Sequence, residues 1–272
     1  MPESNPVNPA EPGLDVRTYF VRNRNVLLAR ADFSDLFVDY YLHLADHKIT
    51  VAPGHDVMFK RALAAFTLHS ASQPRNVMTA WTMNFQQPLV NLFLTGDNEF
   101  GSVTGRVFAE DVKVLPEAIF YADVVRGRQP SRRSMVNVTG SDPLAAVETF
   151  YTQSEQRAAR YFQTGEESFA MLTEHPDCDM EWLQGLTPGK MAQIDHDETL
   201  VLLETRVQRW HCGCNQERML QVLLPVMQQD PDGLFGDDPK IEIRCPRCAA
   251  RHAVTREALE AYAARIHDRY PA

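Results

Sequence analysis

The sequence predicts an α+β protein: an N-terminal mixed α/β domain, a helical linker and a small C-terminal cysteine module. Three observations predict it. Strand-like and helix-like patterns interleave over residues 14–164. The chain then turns acidic and is broken by Gly and Pro over residues 165–209. After Trp210, four of the five cysteines fall into two tight pairs.

Element by element, Tyr19–Val21 and Val26–Ala29 form an alternating stretch, and Leu36, Phe37, Tyr40, Tyr41 and Leu44 repeat at helical spacing behind a cap at Asp32 or Ser34. Phe59, Leu63, Phe66 and Leu68 predict a second core helix over Val57–His69. Val77–Phe85 and Leu89–Leu94 read as strands joined at Gln87-Pro88, and Ser102–Ala109, Tyr121–Val125 and Met135–Val138 as further strands. Gly96-Asp97-Asn98 reads as a turn. Leu144, Val147, Phe150, Tyr151, Ala158 and Phe162 predict one long amphipathic helix over Pro143–Phe162. The linker then carries short helical pieces around Met180–Leu186 and Leu200–Val207. There is no internal repeat.

Composition bounds the function. With 44% hydrophobic residues, 272 residues suffice for a large core plus a smaller module. A net charge of −9 disfavours general binding to nucleic acid or anionic membranes. No stretch approaches the roughly 20 apolar residues of a membrane span. Met1–Gly13 has four prolines and neither a basic cluster nor an apolar core, so it reads as a disordered leader rather than a signal peptide, and the protein as cytoplasmic. Five cysteines in a reducing compartment argue against a disulfide framework. No Ser/His/Asp set, phosphate loop or dinucleotide fingerprint appears, so no catalytic residues and no enzyme are expected.

The chemistry lies in the cysteine module, residues 210–272. Cys212-Gly213-Cys214 is followed, thirty residues later, by Cys245-Pro246-Arg247-Cys248. Two knuckles of two thiolates each can close tetrahedrally around one Zn2+, which then contributes folding free energy to a module of this size. Asn215 is placed to cap a helix bearing Met219, Leu220, Leu223 and Leu224. Ile241 and Ile243 alternate along a strand, Arg251–Val254 return beside it, and Thr255 caps a last helix. The spacing leaves the metal's role open. A purely structural ribbon is the simple reading. Cys-x-Cys also suits a switch, because clustered thiolates are nucleophilic and losing the ion unfolds the module.

The two knuckles with their flanks, Cys212–Arg218 and Ile241–Cys248, resemble the zinc motif of the heat shock protein 33 family of redox-regulated holdase chaperones. Phe150-Tyr151-Thr152-Gln153-Ser154-Glu155-Gln156 is similar to that family's aromatic, Ser-Glu-Gln signature. The resemblance implies an N-terminal chaperone domain (14–164), a metastable linker (165–209) and a redox-switch domain (210–272). It implies one zinc per reduced chain on Cys212, Cys214, Cys245 and Cys248. Oxidation would form Cys212–Cys214 and Cys245–Cys248 disulfides, release the zinc and melt the linker. ATP-independent binding of unfolding clients, in a homodimer when oxidised, would follow. Thiol–disulfide exchange at Cys245/Cys248, or a structural ribbon that recruits partners, are the alternatives.

Other features carry simpler readings. Cys178, near His175, reads as an ordinary free thiol and His211 as a solvent-exposed neighbour of Cys212. Asp230-Pro231-Asp232-Gly233 lacks calcium-loop register and reads as a turn. Asp195-His196-Asp197-Glu198 reads as solvated linker, and Arg126, Arg128, Arg132 and Arg133 as a basic surface loop.

Overall fold

A computed structural model describes residues 13–269; the leader, apart from Gly13, lies outside the described residues. The α+β expectation holds. Ten strands form one sheet: β1 (Leu14–Val21), β2 (Val26–Asp32), β3 (Val77–Gln86), β4 (Leu89–Asp97), β5 (Ser102–Phe108), β6 (Ala118–Arg126), β7 (Arg132–Val138), β8 (Ala159–Gln163), β9 (Ser168–Glu174) and β10 (Leu200–Trp210). Their spatial order is β7-β6-β3-β4-β5-β10-β1-β2-β9-β8.

The sheet is two antiparallel halves joined at a thin seam. β10 pairs with β1 along its length, from Leu14↔Gln208 to Val21↔Leu200. On its other side it meets β5 in parallel at only Arg209↔Ser102 and Trp210↔Val103. Helix α2 (Pro53–Ala71) straps this seam, packing on β4 and β5 on one side and on β2, β9 and β10 on the other. Its sequence explains the role: every residue from Ala62 to Ala71 is buried, as expected of a helix enclosed on all sides. The close approach needs Gly105, where a Cβ would lie 2.3 Å from the Phe93 carbonyl and 3.2 Å from the Phe59 ring. Helix α1 (Ser34–Asp46) turns Leu36, Phe37 and Tyr40 inward beside it.

Several expectations are overturned. The helix predicted over Pro143–Phe162 is α3 (Pro143–Phe150) continued by one π-helical turn, Tyr151–Glu155. Gln156 then takes a left-handed φ of 54° and Ala159 starts strand β8. The aromatic signature is a core element here. The Tyr151 hydroxyl and His69 Nδ1 share a hydrogen bond at 2.6 Å, and burial pushes the His69 pKa down to about 3, so the ring is neutral.

The helix predicted at Leu200–Val207 is instead strand β10, because β1 and β5 offer ladder partners there. With β9 pairing along β2, the stretch expected to be an extended linker supplies two strands of the sheet. The short pieces α4 (Met180–Gln184), α5 (Pro188–Ala192) and α6 (Ile194–Asp197) bury Leu183, Leu186, Met191 and Ile194 in a second core against Val21, Val26 and Leu28. Nor is the acidic cluster merely solvated. Asp195 takes a two-pronged ion pair from Arg30 at 2.6 and 2.7 Å, while Arg24 bridges Asp179 and Glu198.

Leu183 is fully buried at the centre of that second core, so Leu183→Ala removes about 2–5 kcal/mol of local packing. Hydrogen exchange should show faster opening across residues 165–200 with the cysteine module unchanged; uniform protection in both regions would refute a separable core.

Hydrogen bonding to Arg30 holds the Asp195 carboxyl below its usual range; at Asp179 the Trp182 amide, then Arg24, does the same. A depressed carboxylate stabilises the fold above its ordinary pKa of about 3.9, and that contribution is lost as pH falls through the folded value. At neutral pH, Arg30→Gln should therefore speed exchange in the linker, and the difference from wild type should fade as the pH falls below the ordinary carboxylate range. A difference that persists at acid pH would show that the pair is not its source.

Candidate metal centre

The first knuckle is set by the end of β10. Trp210 packs on Tyr40 and Phe59, with ring centroids 5.3 and 6.3 Å away, and the His211 amide donates to the Val103 carbonyl at 3.0 Å. The chain then turns through Gly213, whose φ of +66° suits a residue without a Cβ. Helix α7 (Gln216–Gln229) follows: Asn215 Oδ1 accepts from the Arg218 amide at 2.9 Å, and Arg218 Nη1 donates back to the Gly213 carbonyl at 2.9 Å.

The second knuckle is the turn between β11 (Lys240–Arg244) and β12 (Arg251–Thr255), paired at Ile241↔Val254 and Ile243↔His252. Its ends are closed by the Cys245 amide donating to the Ala250 carbonyl at 2.8 Å and the Ala249 amide to the Cys245 carbonyl at 2.9 Å. Helix α9 (Arg256–Arg269) starts from Thr255, whose hydroxyl accepts from the Ala258 amide at 3.2 Å. Met219, Leu223, Phe235, Val254 and Leu259 form the module's own core, with the short helix α8 (Pro231–Phe235) where a turn was expected.

These elements bring all four predicted sulfurs together. Cys212, Cys214, Cys245 and Cys248 lie within 4.8 Å of one another, with Cys212 to Cys245 at 3.6 Å and Cys214 to Cys248 at 3.5 Å. A tetrahedral ion with bonds of about 2.3 Å to sulfur sets its ligands about 3.8 Å apart, so the donor set fits one thiophilic metal ion. Cys245 and Cys248 are each only 2% exposed, whereas Cys212 and Cys214 are half-buried. The four thiols cannot titrate alike. Hydrogen bonds from Cys212 and its neighbours push Cys245 down, and the same contacts push Cys248 and Cys214 up. A bound cation would allow all four to ionise.

The sequence did not reveal how the body grips this centre. His43 Nε2 donates to the Cys248 carbonyl at 2.8 Å, and Arg106 Nη1 donates to the Cys245 carbonyl at 3.2 Å. The Arg251 amide donates to His47 Nδ1 at 3.2 Å, and the Arg251 guanidinium reaches the Lys48 carbonyl at 3.1 Å. His43 and His47 stand one turn apart at the end of α1, the only local signal, and such a pair in a helix is ordinarily read as surface. Burial, first among the causes, keeps His43 below its usual pKa, consistent with the neutral donor tautomer.

The other candidates lie elsewhere. Cys178 packs against the linker's core, where burial raises its pKa. His211 is not among the clustered ligands. Arg126 and Arg132 flank the β6–β7 hairpin, and Arg133 pairs with Asp123 at 2.8 Å. No helix among the described residues is long and apolar enough to cross a membrane.

Fold and site together define a two-module protein in which a thiolate metal centre is docked onto a large β-sheet body. Residues 163–255 match the model of the Hsp33 protein family. The chain is 30% identical to a 33 kDa chaperonin of Brevibacillus brevis over 77 residues, 28% of this chain and 26% of that protein. It is 23% identical to one of Proteus mirabilis over 207 residues, 62% of this chain and 70% of the relative. Its fold matches the crystal structure of a 33 kDa chaperonin from Thermotoga maritima with a TM-score of 0.72 and 15% identity, covering 94% of this chain and all of that one. The likeness to the Hsp33 family covers residues 163–255 in sequence and the chain as a whole in fold. The chain's match spans only about a quarter of the length of the first curated relatives, 26% and 24%.

Removing the His43 donor leaves a part-buried carbonyl unpaired, at a cost of about 1–3 kcal/mol. His43→Ala should keep the full metal complement but give it up to a chelator several-fold faster, while Cys248→Ser should fail to retain it. Metal analysis after gel filtration and a colorimetric chelator assay check both; wild-type release from His43→Ala would show that the contact does not support the centre.

Proposed function

We propose that the protein is a redox-regulated, ATP-independent holdase chaperone whose off state is the reduced chain with one Zn2+ on Cys212, Cys214, Cys245 and Cys248. One observation carries the reading: the body holds the cysteine module by the backbone carbonyls of two ligand cysteines, Cys245 and Cys248. Those carbonyls keep their direction only while the knuckle is closed, so the centre's integrity and the docking of the module are one condition.

When bound, zinc holds the four thiolates together and reduced. Oxidation begins at the half-buried Cys212 and Cys214, which solvent reaches first. Pairing four thiolates into two disulfides, Cys212–Cys214 and Cys245–Cys248, passes four electrons to two molecules of peroxide. The peroxide takes up four protons and leaves as four waters, and the chain loses its ligands for the metal. The nearest sulfurs in the closed site lie across the two knuckles, so pairing within each knuckle follows once the ligands are free to rearrange.

The opened module withdraws its hold on His43, Arg106 and His47. Within the segment 165–209, the short helices α4–α6, pinned by a small core and part-exposed ion pairs, then loosen from the body of 14–164 and uncover apolar surface for unfolding clients, in a homodimer. The chain's relatives are named chaperonins, which supports this reading. Thiol–disulfide exchange at Cys245/Cys248 fits less well, since both sulfurs are almost fully buried.

Peroxide under mildly unfolding conditions should release one zinc per chain for every two peroxides consumed, and the treated protein should then keep a thermally unfolding client soluble. Peptide mapping should find the two within-knuckle disulfides. Zinc retained after thiol loss, or zinc release without protection of the client, would overturn the proposal.

A further inference from the structure

A groove of about 610 Å3 runs between the α1–α2 connection, the end of β5 with its following loop, and the second knuckle. Four cationic side chains line it: Lys48, Arg106, Arg244 and Arg251. In a chain of net charge −9, only Arg251 among them has a carboxylate partner within the described residues, Glu242 at 3.5 Å. Glu110 and Asp111 are the acids of the lining, and neither pairs with these cations among the described residues.

Arg106 is the centre of the arrangement. Its guanidinium lies 4.0 Å over the Phe108 ring, and its Nε–H is buried with no acceptor among the described residues. Among the described residues, Arg244 and Lys48 have no hydrogen-bonded carboxylate. The N-terminus of α2 opens on the same groove through Val51, Ala52 and His55. Ala52 has no side chain to cap the first turn, and the acid of that turn, Asp56, is occupied by the Tyr40 and Tyr41 hydroxyls at 3.1 and 2.7 Å. Forked guanidiniums, an ammonium and uncapped helix amides converging on one cleft suit a phosphate group. The volume falls in the range of small-molecule sites and exceeds what a bare phosphate fills.

We propose that this groove binds a small organic phosphate, its phosphate between Arg106, Arg244 and Lys48 and its organic part along Phe108 and Tyr40. Such a ligand touches the body and the second knuckle together, so it would bridge the two modules. The inference rests on the groove alone and not on the redox reading, and its test involves no oxidation.

The reduced, metal-loaded chain is titrated with phenyl phosphate, inorganic phosphate and, at matched ionic strength, sodium chloride, while the arginine Nε–H signals are followed by NMR. The Arg106 signal should shift saturably with phenyl phosphate, and Arg244→Gln and Lys48→Gln should each weaken binding about tenfold, the loss expected for one charge-assisted contact. Metal content, followed in each sample, separates loss of the ligand from loss of the module. A shift that sodium chloride reproduces, or affinity unchanged in both variants at equal metal content, would overturn the site. Equal affinity for inorganic and phenyl phosphate would overturn the organic part of the assignment.

Discussion

Four thiols within 4.8 Å of one another cannot all carry charge unless a cation joins them, and the rest of the architecture depends on that constraint. With a cation, two turns from distant parts of the chain close on one point, and the Cys245 and Cys248 carbonyls of the second turn face the body. Without it, the sulfurs divide into low and high pKa members and nothing fixes the turns to each other. The module's own core is small, essentially Met219, Leu223, Phe235, Val254 and Leu259, and offers little to replace the lost ligation.

The body is built to register that change. β10 runs straight from the thin seam of the sheet into the first knuckle, and Trp210 joins them by packing on Tyr40 and Phe59. Helix α1 supplies Tyr40 to that contact and His43 and His47 to the second knuckle, so one helix senses both halves of the centre. The linker's strands β9 and β10 belong to the sheet, while its helices α4–α6 pack on β1 and β2, held by ion pairs of modest individual worth and a compact apolar cluster.

The cysteine module was the most legible part of the chain, because its signals are local. Asn215 and Thr255 cap the helices they were expected to cap, and Ile241 and Ile243 alternate in a two-stranded ladder. The body was less legible where distant partners decide the outcome. Leu200-Val201-Leu202-Leu203 is a short apolar run that suits helix or strand, and β1, almost two hundred residues earlier, makes it a strand. Phe162 continued the helical spacing set by Phe150, but a left-handed turn at Gln156 intervenes and β9 recruits Ala159–Gln163. The grip of His43, His47 and Arg106 on the knuckles was hidden for the same reason: it joins residues more than one hundred positions apart.

The pairing of β1 with β10 also orders events in time. Strand β1, Leu14–Val21, emerges from the ribosome long before Leu200–Trp210 and must wait for it before that edge is closed, a contact of very high sequence separation. The body therefore finishes folding only as the first knuckle emerges, and the metal centre is completed later still, after Cys248. A newly made chain passes through a stage with an open sheet edge and an unlatched linker, so in its own synthesis it visits a form close to the one proposed for its active state.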